Sequence, residues 1–76
     1  MIQLARITRD PLVMGGKPCI RGMRVTVGAV LGLMAGGMSH EEILRDYPYL
    51  EREDLQAALE YAAWRTQEVE VKLADT

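Results

Sequence analysis

The chain has one cysteine, one histidine, one tryptophan and no phenylalanine in its 76 residues. A lone thiol cannot close a disulfide within the chain, so Cys19 can bridge only between molecules. Cys19 and His40 lie far apart in sequence and cannot supply the ligand shell of a zinc ion. The opening MIQLARITRD lacks a basic segment followed by an apolar one, so it does not read as a secretory leader. Together with the free thiol, this predicts a cytoplasmic location. Val25–Ser39 is an uncharged run containing Gly28, Gly32 and Gly36 at GxxxGxxxG spacing. It is shorter than the roughly 20 apolar residues a bilayer demands and reads as a core helix, so no membrane partner is expected.

A chain this short makes one domain with a modest core, and small domains gain stability from disulfides, metals or partner subunits. With the first two removed, self-association remains, and a homodimer or larger homo-oligomer is expected. The net charge of −2 hides a split. Residues 1–38 carry Arg6, Arg9, Lys17, Arg21 and Arg24 against Asp10 alone, whereas residues 39–76 carry four basic and ten acidic side chains. This polarity suits an acidic partner for the first half, a basic one for the second, or head-to-tail contacts; two solvated faces fit it equally.

Along the chain, IQLARITRDP reads as a strand stopped at the turn-forming Asp10–Pro11. Short strands are expected around Leu12–Met14 and Cys19–Arg21, with a turn at Gly15–Gly16 and a bend at Gly22. Thr26 is placed to cap a first helix, stapled by Val25 and Val30, with Val27, Val30, Leu31 and Met34 on one face and Gly36–Gly37 at its end. Ser39 opens a second as a capping box with Glu42, stapled by Met38 and Ile43, and Pro48 keeps it short. A third starts near Glu51–Arg52, with a Leu50–Leu55 staple and an inner stripe of Leu55, Ala58, Leu59 and Ala62. It is expected to run towards Leu73, helped by a Glu68–Lys72 pair. The reading is a single domain over 1–76: a β hairpin or arm over 1–25 and a three-helix unit over 26–73. The fold class is mainly α, with the three helices in a helix-turn-helix, homeodomain-like arrangement.

The stretch GGKPCIRGMRVTV carries the residues that look most chemical. A phosphate loop requires Gly-Lys-Ser/Thr opening a helix, whereas Pro18 after Lys17 removes an amide and blocks that start. Cys19 has basic neighbours that would favour a thiolate, but no histidine near it in sequence, and beside Ile20 it reads as a small buried hydrophobe. Adjacent carboxylates such as Glu41–Glu42 and Glu53–Asp54 diverge around a helix and do not form an acid/base dyad. His40, inside a helix start, is expected to face solvent. Tyr47, Tyr49, Tyr61 and Trp64 are expected to pack between the second and third helices or at a subunit interface. With no catalytic constellation, neither an enzyme nor a cofactor is expected. Arg21 and Arg24 can either grip an anionic partner or tie the arm to carboxylates of the second or third helix.

If nucleic acid is bound, the third helix would enter the major groove, but it opens on Glu51, Arg52, Glu53, Asp54 and Gln56, mostly acidic and unfavourable beside phosphates. The candidate nucleic-acid or partner contacts are therefore the arm residues Arg6, Arg9, Lys17, Arg21 and Arg24, joined by Arg52 and Gln56.

The order ITRDP, VMGGKPCIRGMRVTV, then VLGLMAGGMSHEEILRDYPYLEREDLQAALEYA resembles the bacterial and archaeal domain-of-unknown-function family 433 over about residues 6 to 63. The third helix opens on Glu51–Arg52 where that family commonly has Thr-Pro. The resemblance implies a VapB-type antitoxin-like protein with a helix-turn-helix-like fold, a PIN-like nuclease toxin as partner and operator DNA as a further ligand. The alternative is a homo-oligomeric interaction module that binds no DNA. The composition itself predicts that light scattering at micromolar concentration gives at least twice the 8.5 kDa chain mass; a monomer mass would contradict it.

Overall fold

The computed structural model describes residues 5–67. Within them an antiparallel strand pair, β1 (Ile7–Thr8) and β2 (Cys19–Ile20), precedes α1 (Val27–Ala35), α2 (His40–Asp46) and α3 (Arg52–Gln67). Ile7 pairs with Ile20, and Thr8 with Cys19. The chain then reverses at Arg21–Gly22, where the Met23 amide donates to Ile20 O at 2.8 Å. Both turn residues have positive φ, 44° at Arg21 and 73° at Gly22, the sign that matches the right-handed twist of paired strands. Residues beyond the turn run back along the free side of β2: Ile20 N donates to Val25 O, and Val27 N to Pro18 O, both at 2.9 Å. The result is a small three-ply β element with Cys19 and Ile20 buried at its centre.

Leu12–Met14 is not a strand. The Asp10 side chain accepts the Leu12 amide at 2.9 Å, its carbonyl accepts the Val13 amide, and a 3₁₀ turn follows over Met14–Gly16. Local side-chain capture of the backbone competes here with strand pairing and prevails. β1 is also shorter than alternation suggested, and residues 1–4 lie outside the described residues, as do the Glu68–Lys72 pair and the approach to Leu73.

The helices begin where the local signals put them. Thr26 Oγ1 accepts the Ala29 amide at 3.0 Å. At the other end of α1 the Met38 amide donates to Leu33 O and the Gly37 amide to Met34 O, with Gly37 at φ 103°. These paired bonds over a left-handed residue form a Schellman stop. Ser39 and Glu42 exchange both capping-box bonds, at 2.8 and 3.1 Å.

The three helices form a compact bundle around Ile20, Val27, Val30, Ile43, Leu50, Leu55 and Ala58. Partly buried Met38, Tyr47 and Tyr61 pack against this core, and α3 touches α1, α2 and β1. Two helical positions differ from expectation. Leu59 is 40% exposed, and Ala57 takes a buried place in α3. His40 is half-buried. Of the aromatic side chains, Tyr49 and Trp64 stay substantially exposed.

Removing the Ser39 hydroxyl as Ser39→Ala is predicted to lower stability by about 1 kcal/mol, the usual worth of an N-cap. Leu55→Ala, at a fully buried position, should cost about 2–5 kcal/mol. Urea unfolding followed by circular dichroism measures both, and equal losses would contradict the core assignment.

Candidate functional site

The most constrained polar group is Asp54, in the first turn of α3 and with no exposed surface. Its Oδ1 accepts Arg6 Nη1 at 2.9 Å and Arg21 Nε at 2.9 Å. Its Oδ2 accepts Arg21 Nη2 at 2.8 Å and the Glu51 amide at 2.8 Å. Arg21 thus grips the carboxylate with two parallel bonds, the strongest geometry available to a guanidinium. The same Nη2 reaches Tyr49 O at 3.0 Å, and Arg6 Nη1 also pairs with Glu51 Oε1 at 2.8 Å. Burial pushes the Asp54 carboxyl up, but hydrogen bonds from Arg21, the Glu51 amide and Arg6 outweigh it and hold the group below its ordinary value. Both arginines are raised in turn, Arg6 first by Glu51 and Arg21 first by Asp54. Among the described residues no buried side-chain polar atom lacks a partner.

Of the arginine pair, then, Arg21 is the one that ties the arm to the third helix. Arg24 does not join it: it is exposed and stands at the rim of a separate groove. The other candidate contacts divide similarly. Arg6 belongs to the Asp54 cluster; Arg52 reaches Glu41 at 3.4 Å, and Gln56 bonds Glu60 at 3.3 Å. Arg9 donates to Gly16 O at 3.4 Å, and Lys17 flanks a concavity with Pro18, Thr26, Gly28 and Ala29. Arg9, Lys17 and Arg24 are thus the exposed cations of the arm that make no ion pair among the described residues. Cys19 is buried, its Sγ 3.3 Å from Lys17 O.

Sequence reasoning missed Asp54 and the groove. Asp54 did leave a signal: it stands three residues after Glu51, as a capping acid does, and on the apolar stripe with Ala58 and Tyr61. The groove left none, because it joins distant segments. It encloses about 260 Å³ between one flank of α1 (Thr26, Ala29, Val30, Leu33) and the turn Tyr47–Leu50, with Met14 and Arg24–Val25 completing its wall. Apart from Arg24 and Thr26 its lining is apolar or aromatic, which is the character of a binding surface. Among the described residues no three His, Cys, Asp or Glu side chains gather to hold a metal ion, and no helix is long and apolar enough to cross a membrane.

Comparison with known proteins places these features in a family context. Residues 7–62 match the family described as Protein of unknown function (DUF433). The protein described as Uncharacterized protein y4eO of Sinorhizobium fredii (strain NBRC 101917 / NGR234) is 39% identical over 56 residues. That match takes in 74% of this chain but 25% of the relative, so the chain spans about a quarter of its length. The crystal structure of a DUF433 member protein from Anabaena variabilis ATCC 29413 superposes with a TM-score of 0.76 at 32% identity, over 88% of this chain and 68% of that one.

The Asp54 cluster predicts acid lability. Its folded carboxyl titrates below the unfolded one, so its stabilisation is complete above the unfolded value of about 3.9 and is lost as pH falls towards the lowered folded value. Asp54→Asn should cost about 1–3 kcal/mol at neutral pH, since the amide keeps one acceptor oxygen but turns a donor towards the part-exposed guanidinium groups. It should also flatten the fall in stability below pH ~4. Urea melts at a series of pH values test this, and an Asp54→Asn variant with an unchanged slope would contradict it.

Proposed function

The chain belongs to the DUF433 family, and from that premise we propose that it works by holding a protein partner, as the antitoxin of a toxin–antitoxin pair whose toxin is a PIN-like nuclease. The observation that carries this reading is the groove beside α1, an open apolar surface on a helix without a single charged side chain. Exposed Tyr49 and Met14 add to it, and a small domain gains nothing by wetting such a surface. The role is non-enzymatic: no nucleophile, base and orienting group converge there. It operates in the cytoplasm, as a homodimer or larger assembly, and requires no cofactor. The toxin assignment comes from the family resemblance, and the groove supports the broader part of it, a protein partner.

Operator binding is the second reading, favoured by the exposed cations Arg9, Lys17 and Arg24. It requires α2, the following turn and α3 to act as a helix-turn-helix. The start of α3 weighs against it: Arg52 is already paired with Glu41, Asp54 is turned inward, and Glu53 is exposed. An acidic helix start repels phosphates, and three cations are few for a duplex contact.

The gene beside this one should encode a PIN-like nuclease, and co-expression of the tagged chain with it should yield a stable complex and restore growth. Failure of both would overturn the antitoxin reading. A gel shift with the DNA upstream of the gene should show no retardation at about 50 mM salt if protein binding is the whole function. Retardation that fades steeply towards about 200 mM salt would establish the second reading instead.

A further inference from the structure

The groove has a direction and a charge that narrow what fits it. Ala29 and Leu33 lie one helical turn apart along one wall, and Tyr47 and Tyr49 stand opposite them. The ring centroids of the two tyrosines are 6.2 Å apart in an edge contact, so together they make a broad aromatic wall. Arg24, at the rim, is the charged group of the lining and makes no ion pair among the described residues. The adjoining strip of α1 exposes Gly28 and Gly32, and a Cβ built on either meets nothing within 4 Å. Packing among the described residues therefore gives no reason for glycine at those positions, where glycine weakens a helix relative to alanine. What glycine and alanine do permit is close approach of another backbone, as when two helices pack with their axes about 8 Å apart.

We infer that this groove receives an amphipathic helix of the partner protein, apolar residues seated between α1 and the tyrosines and a carboxylate paired with Arg24. The inference rests on the protein-partner reading above and names the chemistry of the contact. Charge complementarity selects the occupant: a free cation at the rim of an apolar trough favours an acidic helix and disfavours a basic one. The binding mode is helix in groove, with anchors spaced one turn apart.

The test is calorimetric titration of the purified chain with a PIN-like nuclease, the protein that the antitoxin reading expects the neighbouring gene to encode, comparing the native chain with Arg24→Glu and Gly32→Leu. Both positions are exposed and Gly32 opens on free space among the described residues, so both variants should keep the native circular dichroism spectrum and melt no lower than the native chain, Gly32→Leu somewhat higher. Each should weaken binding at least tenfold, Arg24→Glu by charge reversal and Gly32→Leu by filling the approach. Binding of the native chain should also weaken as salt rises, and that salt dependence should diminish in Arg24→Glu. Native binding that neither folded variant disturbs would overturn the groove while leaving the antitoxin reading intact. No binding by the native chain would overturn both. Light scattering without the partner separates the remaining occupant: dissociation of a native dimer by these variants would assign the groove to a second copy of the chain and overturn the partner helix.

Discussion

A single buried carboxylate joins the two halves of this molecule. The β element has strands of two residues each, far too short to persist alone in water. Its attachment to the bundle runs through Ile20 in the core and through Arg6 and Arg21 on Asp54. The desolvation cost of a buried charge is large, and it is offset here because three of the four accepted bonds come from guanidinium groups and the fourth from the Glu51 amide just before α3. The arrangement also makes use of a strained position. Arg21 sits in left-handed backbone, which costs a side-chain-bearing residue about 1–2 kcal/mol, and its guanidinium is one of the two that satisfy Asp54.

The charge split of the sequence takes on a different meaning in the fold. Two of the five basic residues of the first half are not an outward-facing electrostatic surface; they are matched against Asp54 of α3 and Glu51 just before it. What remains exposed is weaker in charge and richer in apolar area, with Arg24 beside Tyr49 and Met14. Recognition of another protein suits that residue mix better than long-range attraction of a polyanion.

How much of this could be read in advance follows from the distance over which each signal acts. The caps at Thr26 and Ser39 and the glycine stop of α1 are completed within a few residues, and they were legible as sequence. The family pattern was legible for the same reason: its motifs are contiguous blocks, and they match over residues 7–62. The Asp54 cluster joins residues 33 and 48 positions apart, and no local pattern ranks those pairings over others. Leu59 misled because the period of a helix tells which residues share a face but not how wide a face the neighbours cover. Leu12–Met14 misled because alternation says nothing of an aspartate upstream that captures the amides.

The wiring of that cluster also carries an order of events. A ribosome delivers Arg6 and Arg21 well before Asp54, and closing a loop of more than thirty residues is an entropic toll charged before any contact returns it. The helix boundaries, by contrast, close over three or four residues and need no waiting. During synthesis the guanidinium groups of Arg6 and Arg21 therefore stay without their buried carboxylate until the start of α3 emerges.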